Sequence, residues 1–325
     1  MSTFGFETTG DEVAAICSNA IRGKIVLITG PSVGSLGAEF ATTIAPHGPS
    51  MIILASRDIS KLEPVAASIK AIAPVVVTRI LKLDLASQAH IREAAEEVNN
   101  YDDVPHIDVL VNSSGIMAVP HSQTADGIEL QFGVNHIGHF LFTNLIIDKL
   151  ITEDGSQTSR VINVSSNGHE LSRVRFEDMN FEISPYNRWF AYGQSKSANM
   201  LFSVSLATKL ASKGLISVSL HPGVIRTNLS SHLEASAWPE LGKIGLELAL
   251  PSFYTGFNLK TQQQGVATYV FAAFDESVSM KTNGRYLVDS QVSDLDSYKC
   301  WGRDPTEAER LWKLSESLVK QEFKY

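Results

Sequence analysis

A doubly wound α/β fold, with a parallel sheet covered by helices on both faces, is predicted by three features of the sequence. Apolar runs of strand length alternate with longer amphipathic stretches, the first run leads into a glycine-bearing turn, and no repeat or low-complexity segment breaks the order. Strands alternating with helices imply parallel pairing through right-handed crossovers. A chain of 325 residues with 44% hydrophobic content can bury one large core, so a single domain is expected.

In chain order, residues 1–22 read as an N-terminal extension. They carry Glu7, Asp11 and Glu12 and lack a basic flank followed by an apolar stretch, so no secretory leader is expected. The domain then runs over residues 23–325. Uninterrupted apolar runs such as Ile25-Val26-Leu27-Ile28 predict strands at 25–28, 51–55, 75–81, 109–111, 160–164, 216–220 and 285–288. Amphipathic periodicity predicts helices at 36–44, 59–72, 88–98, 127–150 and 191–213. Residues 228–264 are irregular: Trp238, Leu241, Ile244, Leu246, Leu248, Leu250, Phe253, Tyr254 and Phe257 sit among Gly and Pro. Such an apolar insert suits either a short helical appendage or a lid over a pocket. A C-terminal helix is expected at about 305–321.

Charged residues make up 19% of the chain and the net charge is -8, which leaves no basic field to attract nucleic acid or anionic lipid. Cys17 and Cys300 are far apart, without the paired spacing of a disulfide framework or a zinc site, so no metal is expected. A reducing, cytoplasmic setting fits this usage. No run of about 18 apolar residues occurs, and no membrane span is expected.

The turn after the first strand, Thr29-Gly30-Pro31-Ser32-Val33-Gly34-Ser35-Leu36-Gly37, is a candidate phosphate cradle. Glycines let the backbone approach a pyrophosphate, and Gly30, Ser32, Gly34 and Leu36 lie where free amides and the positive end of a helix dipole would meet it. An ordinary strand-to-helix turn has similar spacing; its place on the first strand of a Rossmann-like sheet favours nucleotide binding. At the end of the second strand, Ser56 and Arg57 favour a 2′-phosphate and hence NADP over NAD. Asp58 follows at once, and a solvated surface arginine is the alternative for Arg57.

Tyr192-Gly193-Gln194-Ser195-Lys196 places a phenol and an ammonium on one face of a predicted helix. A nearby cation favours the phenolate and is expected to pull the Tyr192 pKa toward the working range, making a proton-transfer pair. The same spacing also occurs in solvated helical turns.

Thr29-Gly30, Asp84-Leu85, Asn112-Ser113-Ser114-Gly115, Asn135, Ser165-Ser166, Tyr192 to Lys196 and His221-Pro222-Gly223 occur in one order that resembles the short-chain dehydrogenase/reductase family. Val134-Asn135-His136-Ile137-Gly138-His139-Phe140 and the tail around Arg303-Asp304-Pro305 are similar to its retinol-dehydrogenase-like branch. The resemblance implies Tyr192 as general acid/base, Lys196 as the group that lowers its pKa and holds the nicotinamide ribose, and Ser166 as a hydrogen-bond donor to the substrate oxygen. It implies that Asn135 holds a water linking Lys196 to solvent. Asp84 with Leu85 would flank the adenine, Asn112 would bridge strands beside the cofactor near Gly115, and Gly223 and Thr227 would line the nicotinamide and pyrophosphate. Strand alternation points Ser165 elsewhere. Two departures stand out: Leu36 takes the usual place of the third turn glycine, with Gly37 following, and Ser113-Ser114 replaces the common Asn-Ala.

An apolar lid excludes water and favours a lipophilic substrate, with Met117, His169, Trp189, Phe190 and Trp238 as candidate walls. The leading expectation is an NADP(H)-dependent oxidoreductase acting on a carbonyl or alcohol of a small lipophilic molecule. An epimerase or dehydratase on the same fold, and a non-catalytic NADP-binding interaction protein, are the alternatives. A homodimer or tetramer is implied by the resemblance alone.

Overall fold

The computed structural model describes residues 4–152 and 154–325. Helices α1 (Gly10–Ile16) and α2 (Ser18–Ile21) precede strand β1 (Ile25–Thr29), α3 (Leu36–Ile44), β2 (Met51–Ser56), α4 (Glu63–Ile72), β3 (Val77–Lys82), α5 (Gln88–Asn99) and β4 (Val109–Asn112). Short α6 (Leu130–Phe132) runs through a wider π turn (Gly133–Ile137) into α7 (Gly138–Leu145), followed by β5 (Ser159–Val164), α8 (Arg188–Leu210) and β6 (Leu215–His221). Strand β7 (Val224–Ile225), α9 (Ala237–Glu247), β8 (Leu259–Lys260), α10 (Gln262–Phe274), β9 (Tyr286–Val288), β10 (Gln291–Val292) and α11 (Pro305–Val319) complete the chain.

The main sheet has the order β10-β9-β6-β5-β4-β1-β2-β3. Its pairs are parallel except at the last edge, where Gln291 and Val292 turn back antiparallel on Val288 and Leu287. The order reverses between β1 and β4, which pair through Val26, Leu27 and Ile28 against Val109, Leu110 and Val111. Connections leave in opposite directions there, so a crevice opens beyond the carboxyl ends of these strands.

One face is closed by α1, α3, α4 and α10 around Val13, Phe40, Ile44, Ile69 and Phe271, the other by α5, α7, α8 and α11 around Ile91, Phe140, Phe202 and Trp312. Residues before β1 share the first of these cores: Phe4, Val13, Ala14, Cys17 and Ile21 are buried in it. Thr9 caps α1 with a reciprocal capping box, its hydroxyl accepting from Glu12 N–H while the Glu12 carboxylate accepts from Thr9 N–H. Thr9→Ala should therefore lower stability by about 1 kcal/mol in urea unfolding. No loss would mean that the cap is replaced by water at no cost.

Several predicted boundaries move for local reasons. The third strand starts at Val77, because the turn closed by Val76 N–H to Ala73 O leaves Val75 87% exposed. The helix expected from residue 127 starts at Leu130, since Gly127 has φ +77° and the Glu129 carboxylate caps Gln131 and Phe132 N–H. α8 starts three residues earlier than its periodicity suggests, with the Asn187 amide oxygen accepting from Trp189 and Phe190 N–H. Among the described residues no helix is long and apolar enough to cross a membrane.

Candidate active site

A cavity of about 800 Å³ lies in the crevice at the strand-order reversal and extends under α9. Its floor is set by an interlock between α8 and the loop after β5. A Cβ on Gly168 would lie 2.7 Å from Tyr192 Cε1, and one on Gly193 would lie 2.9 Å from Gly168 O, so the two glycines let the helix seat Tyr192 against the Ser166 loop. Ser166 Oγ accepts from Gly168 N–H at 3.0 Å and donates to Asn167 Oδ1 at 3.2 Å. Ser165 turns away and donates to Lys196 O at 2.8 Å, which removes it as a rival hydroxyl.

Lys196 is buried beside Tyr192, with Nζ donating to Val164 O at 3.1 Å and lying 5.5 Å from the phenol ring centre. The expected fall in the Tyr192 pKa is reversed: burial pushes the phenol up to about 12, against the opposing hydrogen bond with Ser166. Burial also pulls the Lys196 ammonium down to about 8. Burial disfavours the charged form of each group, so Tyr192 is a protonated donor at neutral pH.

Asn135 lies behind the cavity wall rather than on it. It sits in the π turn, and such turns often reshape helices at functional sites. Its amide donates to Ile116 O and Ser195 Oγ, each at 2.9 Å, and its Oδ1 accepts from Ile116 N–H at 2.9 Å. The side chain thus braces the loop after β4, where a Cβ on Gly115 would lie 3.3 Å from Asn135 Oδ1 and 3.6 Å from Lys196 Nζ.

That loop is also fixed from below. Thr29 Oγ1 accepts from Ser113 and Ser114 N–H at 2.9 and 3.0 Å and lies 2.8 Å from His139 Nε2. His139 Nδ1 is 3.0 Å from Asn135 O, which can only accept, so Nδ1 carries the ring proton and Thr29 donates to Nε2. Burial holds His139 neutral, with its pKa down at about 4.

Of the predicted cofactor residues, Gly30, Ser32, Leu36, Ser56, Arg57, Asp84, Leu85, Gly115, Gly223 and Thr227 line the cavity together with Ser166, Tyr192 and Lys196. Gly34 and Asn112 do not. Gly34 (φ +78°) is covered by Asn228, whose amide donates to Val33 O at 3.0 Å. Asn112 is buried, and its amide bridges to Asn163 Oδ1 and Thr143 Oγ1. The fit to a dinucleotide is tested by Gly30: at φ +73°, a Cβ there would meet Ser114 Oγ at 2.6 Å and Ser114 Cα at 2.8 Å, so only glycine lets the turn close on the loop after β4 with its backbone at the cavity. The first-turn amides of α3 add donors without intrahelical acceptors. Gly37 lets α3 approach the turn, since its Cβ would lie 3.2 Å from Pro31 Cα.

Around the far end of the cavity, Arg57 is joined by Lys61, which the sequence reading missed although it lies one short helical turn further on. Asp58 lines the same end; its carboxylate accepts from the Ser60 N–H and hydroxyl at 3.1 and 2.6 Å and pairs with Lys61 Nζ at 3.8 Å. Met117, Trp189 and Trp238 also line the cavity, with Leu171, Leu241, Phe253 and Phe257 completing an apolar wall. His169 and Phe190 do not line it. The His169 ring turns back, Nδ1 lying 2.7 Å from Ser166 O and the ring packing edge-on to Tyr286. The insert is bounded by the parallel pair β7 and β8 and tied across by the Arg188–Glu240 ion pair. Leu246, Leu248 and Tyr254 face outward.

The family model described as short chain dehydrogenase matches residues 24–238. Retinol dehydrogenase 11 of Homo sapiens is 34% identical over 308 residues, covering 94% of this chain and 89% of its own. Retinol dehydrogenase 13 of Mus musculus is 38% identical over 302 residues, covering 92% of this chain and 84% of its own. A crystal structure of an uncharacterized protein from Mycobacterium Paratuberculosis is 32% identical with a TM-score of 0.69, covering 94% of this chain and 96% of that one. The NADPH-bound carbonyl reductase from chicken fatty liver, 20% identical with a TM-score of 0.58 over 84% of this chain and 99% of its own, is similar in fold alone.

Proposed function

The chain belongs to the short-chain dehydrogenase/reductase family and is an oxidoreductase of alcohol and carbonyl groups; from that premise we propose that it uses NADP(H) on a lipophilic aldehyde, ketone or the corresponding alcohol. The observation that carries the reading is one cavity lined by the Arg57 and Lys61 cations, by the apolar Trp238 and Phe253, and by Ser166, Tyr192 and Lys196. The similarity to retinol dehydrogenases supports a lipophilic substrate.

A bound dihydronicotinamide supplies the hydride that reduces a carbonyl carbon. Ser166 can rotate its O–H from Asn167 Oδ1 to the substrate oxygen and hold it beside Tyr192. Tyr192, protonated at neutral pH, gives its proton to that oxygen as negative charge develops. Lys196 steadies the phenolate left behind, an anion that burial would otherwise disfavour. The apolar insert keeps water from the reacting atoms. Gly30, Ser32, Leu36, Gly115, Gly223 and Thr227 would hold the dinucleotide, with Asp84 and Leu85 at the adenine.

Arg57 and Lys61 favour a 2′-phosphate, while the neighbouring Asp58 carboxylate is engaged by the Ser60 hydroxyl and by Lys61 at 3.8 Å. Arg57→Glu should weaken NADPH about tenfold or more while changing NADH by less than about threefold, as read from dissociation constants. Equal losses for both nucleotides would contradict the assigned preference. The activity itself is tested by NADPH consumption against a panel of long-chain and aromatic aldehydes and ketones.

A further inference from the structure

Tyr269 lies on α10, 156 residues from Ser113, yet its phenol oxygen is 3.2 Å from Ser113 Oγ. Both side chains line the cavity. The ring is 2% exposed and packs at 6.0 Å against Phe40, so it has little freedom to swing away. The Ser113 backbone is held in place: its N–H reaches Thr29 Oγ1 at 2.9 Å, and the Thr29–His139 contact fixes that acceptor in turn.

Two hydroxyls that bond to each other carry two protons and use one. Whichever is the donor, one O–H remains, and the space both groups share is the cavity. Desolvation raises the Tyr269 pKa, which keeps the phenol protonated and the count of two intact. That spare O–H faces the cavity, so the pair offers one donor to an acceptor oxygen on whatever fills the space.

We propose that Tyr269 is a positioning residue: through Ser113 it fixes a single O–H donor on the cavity wall for an acceptor oxygen of the bound nicotinamide dinucleotide. The proposal rests on the cofactor reading above. It also gives the Ser113 departure a physical role, because the hydroxyl is short enough to admit the phenol of Tyr269 beside it.

The test is a double-mutant cycle on the full chain, with NADPH dissociation constants read from nucleotide fluorescence. Tyr269→Phe and Ser113→Ala should each weaken NADPH about five- to tenfold, with thermal midpoints close to wild type. The double variant should fall well short of the product of the two single losses, because each single variant keeps one O–H but already lacks the partner that aims it. Losses that multiply in the double variant, or single variants that bind as wild type does, overturn the proposal. Failure of the wild-type protein to bind NADPH would instead overturn the cofactor reading, and thereby be told apart. A merely structural role would appear as lowered midpoints with additive losses, which also overturns it.

Discussion

Tyr192→Phe is expected to lower kcat about 10³-fold while leaving the NADPH dissociation constant within about twofold of wild type. The substitution keeps the ring that packs on Gly168 and removes only the hydroxyl beside Ser166. Because the phenol is held protonated by burial, the lost group is a proton donor, and the remaining oxygen binding by Ser166 cannot replace it. Single-turnover measurement with saturating nucleotide separates the chemical step from binding. Retention of more than about a tenth of the rate would show that water or another group supplies the proton.

The second large effect is acid lability. His136, His139 and His169 are each 1% exposed, and burial lowers their pKa values from 6.5 to about 3, 4 and 4. An unfolded chain binds protons at these sites that the native state refuses. Stability is therefore fully present above about pH 6.5 and is lost as pH falls from there toward 4. Each histidine adds a slope of up to about 1.4 kcal/mol per pH unit, and a combined loss of at least about 3 kcal/mol is expected between pH 7 and pH 5. Glu129 and Glu170 act in the opposite sense, since burial raises their pKa values and the native state takes up their protons first. That offset begins above 4.5, their ordinary value, and is confined to two groups. Urea unfolding at the two pH values measures the difference. A flat profile would mean that the buried rings gain acid-stabilising partners.

His139 also explains why the lability would reach the active site. Its neutral ring accepts the Thr29 hydroxyl that anchors the Ser113-Ser114 loop, and its Nδ1–H holds Asn135 O. Protonation of Nε2 would leave two donors facing each other. Cofactor binding should weaken before the global transition, a sequence that fluorescence titration at stepped pH can follow.

What was legible in the sequence is what short spacing controls. Tyr192 and Lys196 are one helical turn apart, and the cradle from Thr29 to Gly37 is a local strand-to-helix unit, so neither needed knowledge of distant packing. His169 was misplaced because its position near Ser166 does not reveal its rotamer; the hydrogen bond to Ser166 O turns the ring from the cavity toward Tyr286. The Tyr192 pKa was read in the wrong direction because spacing shows the cation but not the burial that opposes it. Tyr269 was missed since its helix pattern is that of a core position, and only the fold brings it to Ser113. α8 is buried almost throughout, so its start was marked by the Asn187 cap rather than by a polar face.

Passage of hydride between nicotinamide and a lipophilic carbonyl beside Tyr192 can be followed with an isotope. It is tested most directly by incubating the protein with NADPH deuterated at the transferable position and a reducible long-chain aldehyde, then locating the label by mass spectrometry. One deuterium is expected on the former carbonyl carbon for each NADPH consumed. Product without label, or tight NADPH binding with no consumption across the carbonyl panel, would contradict it.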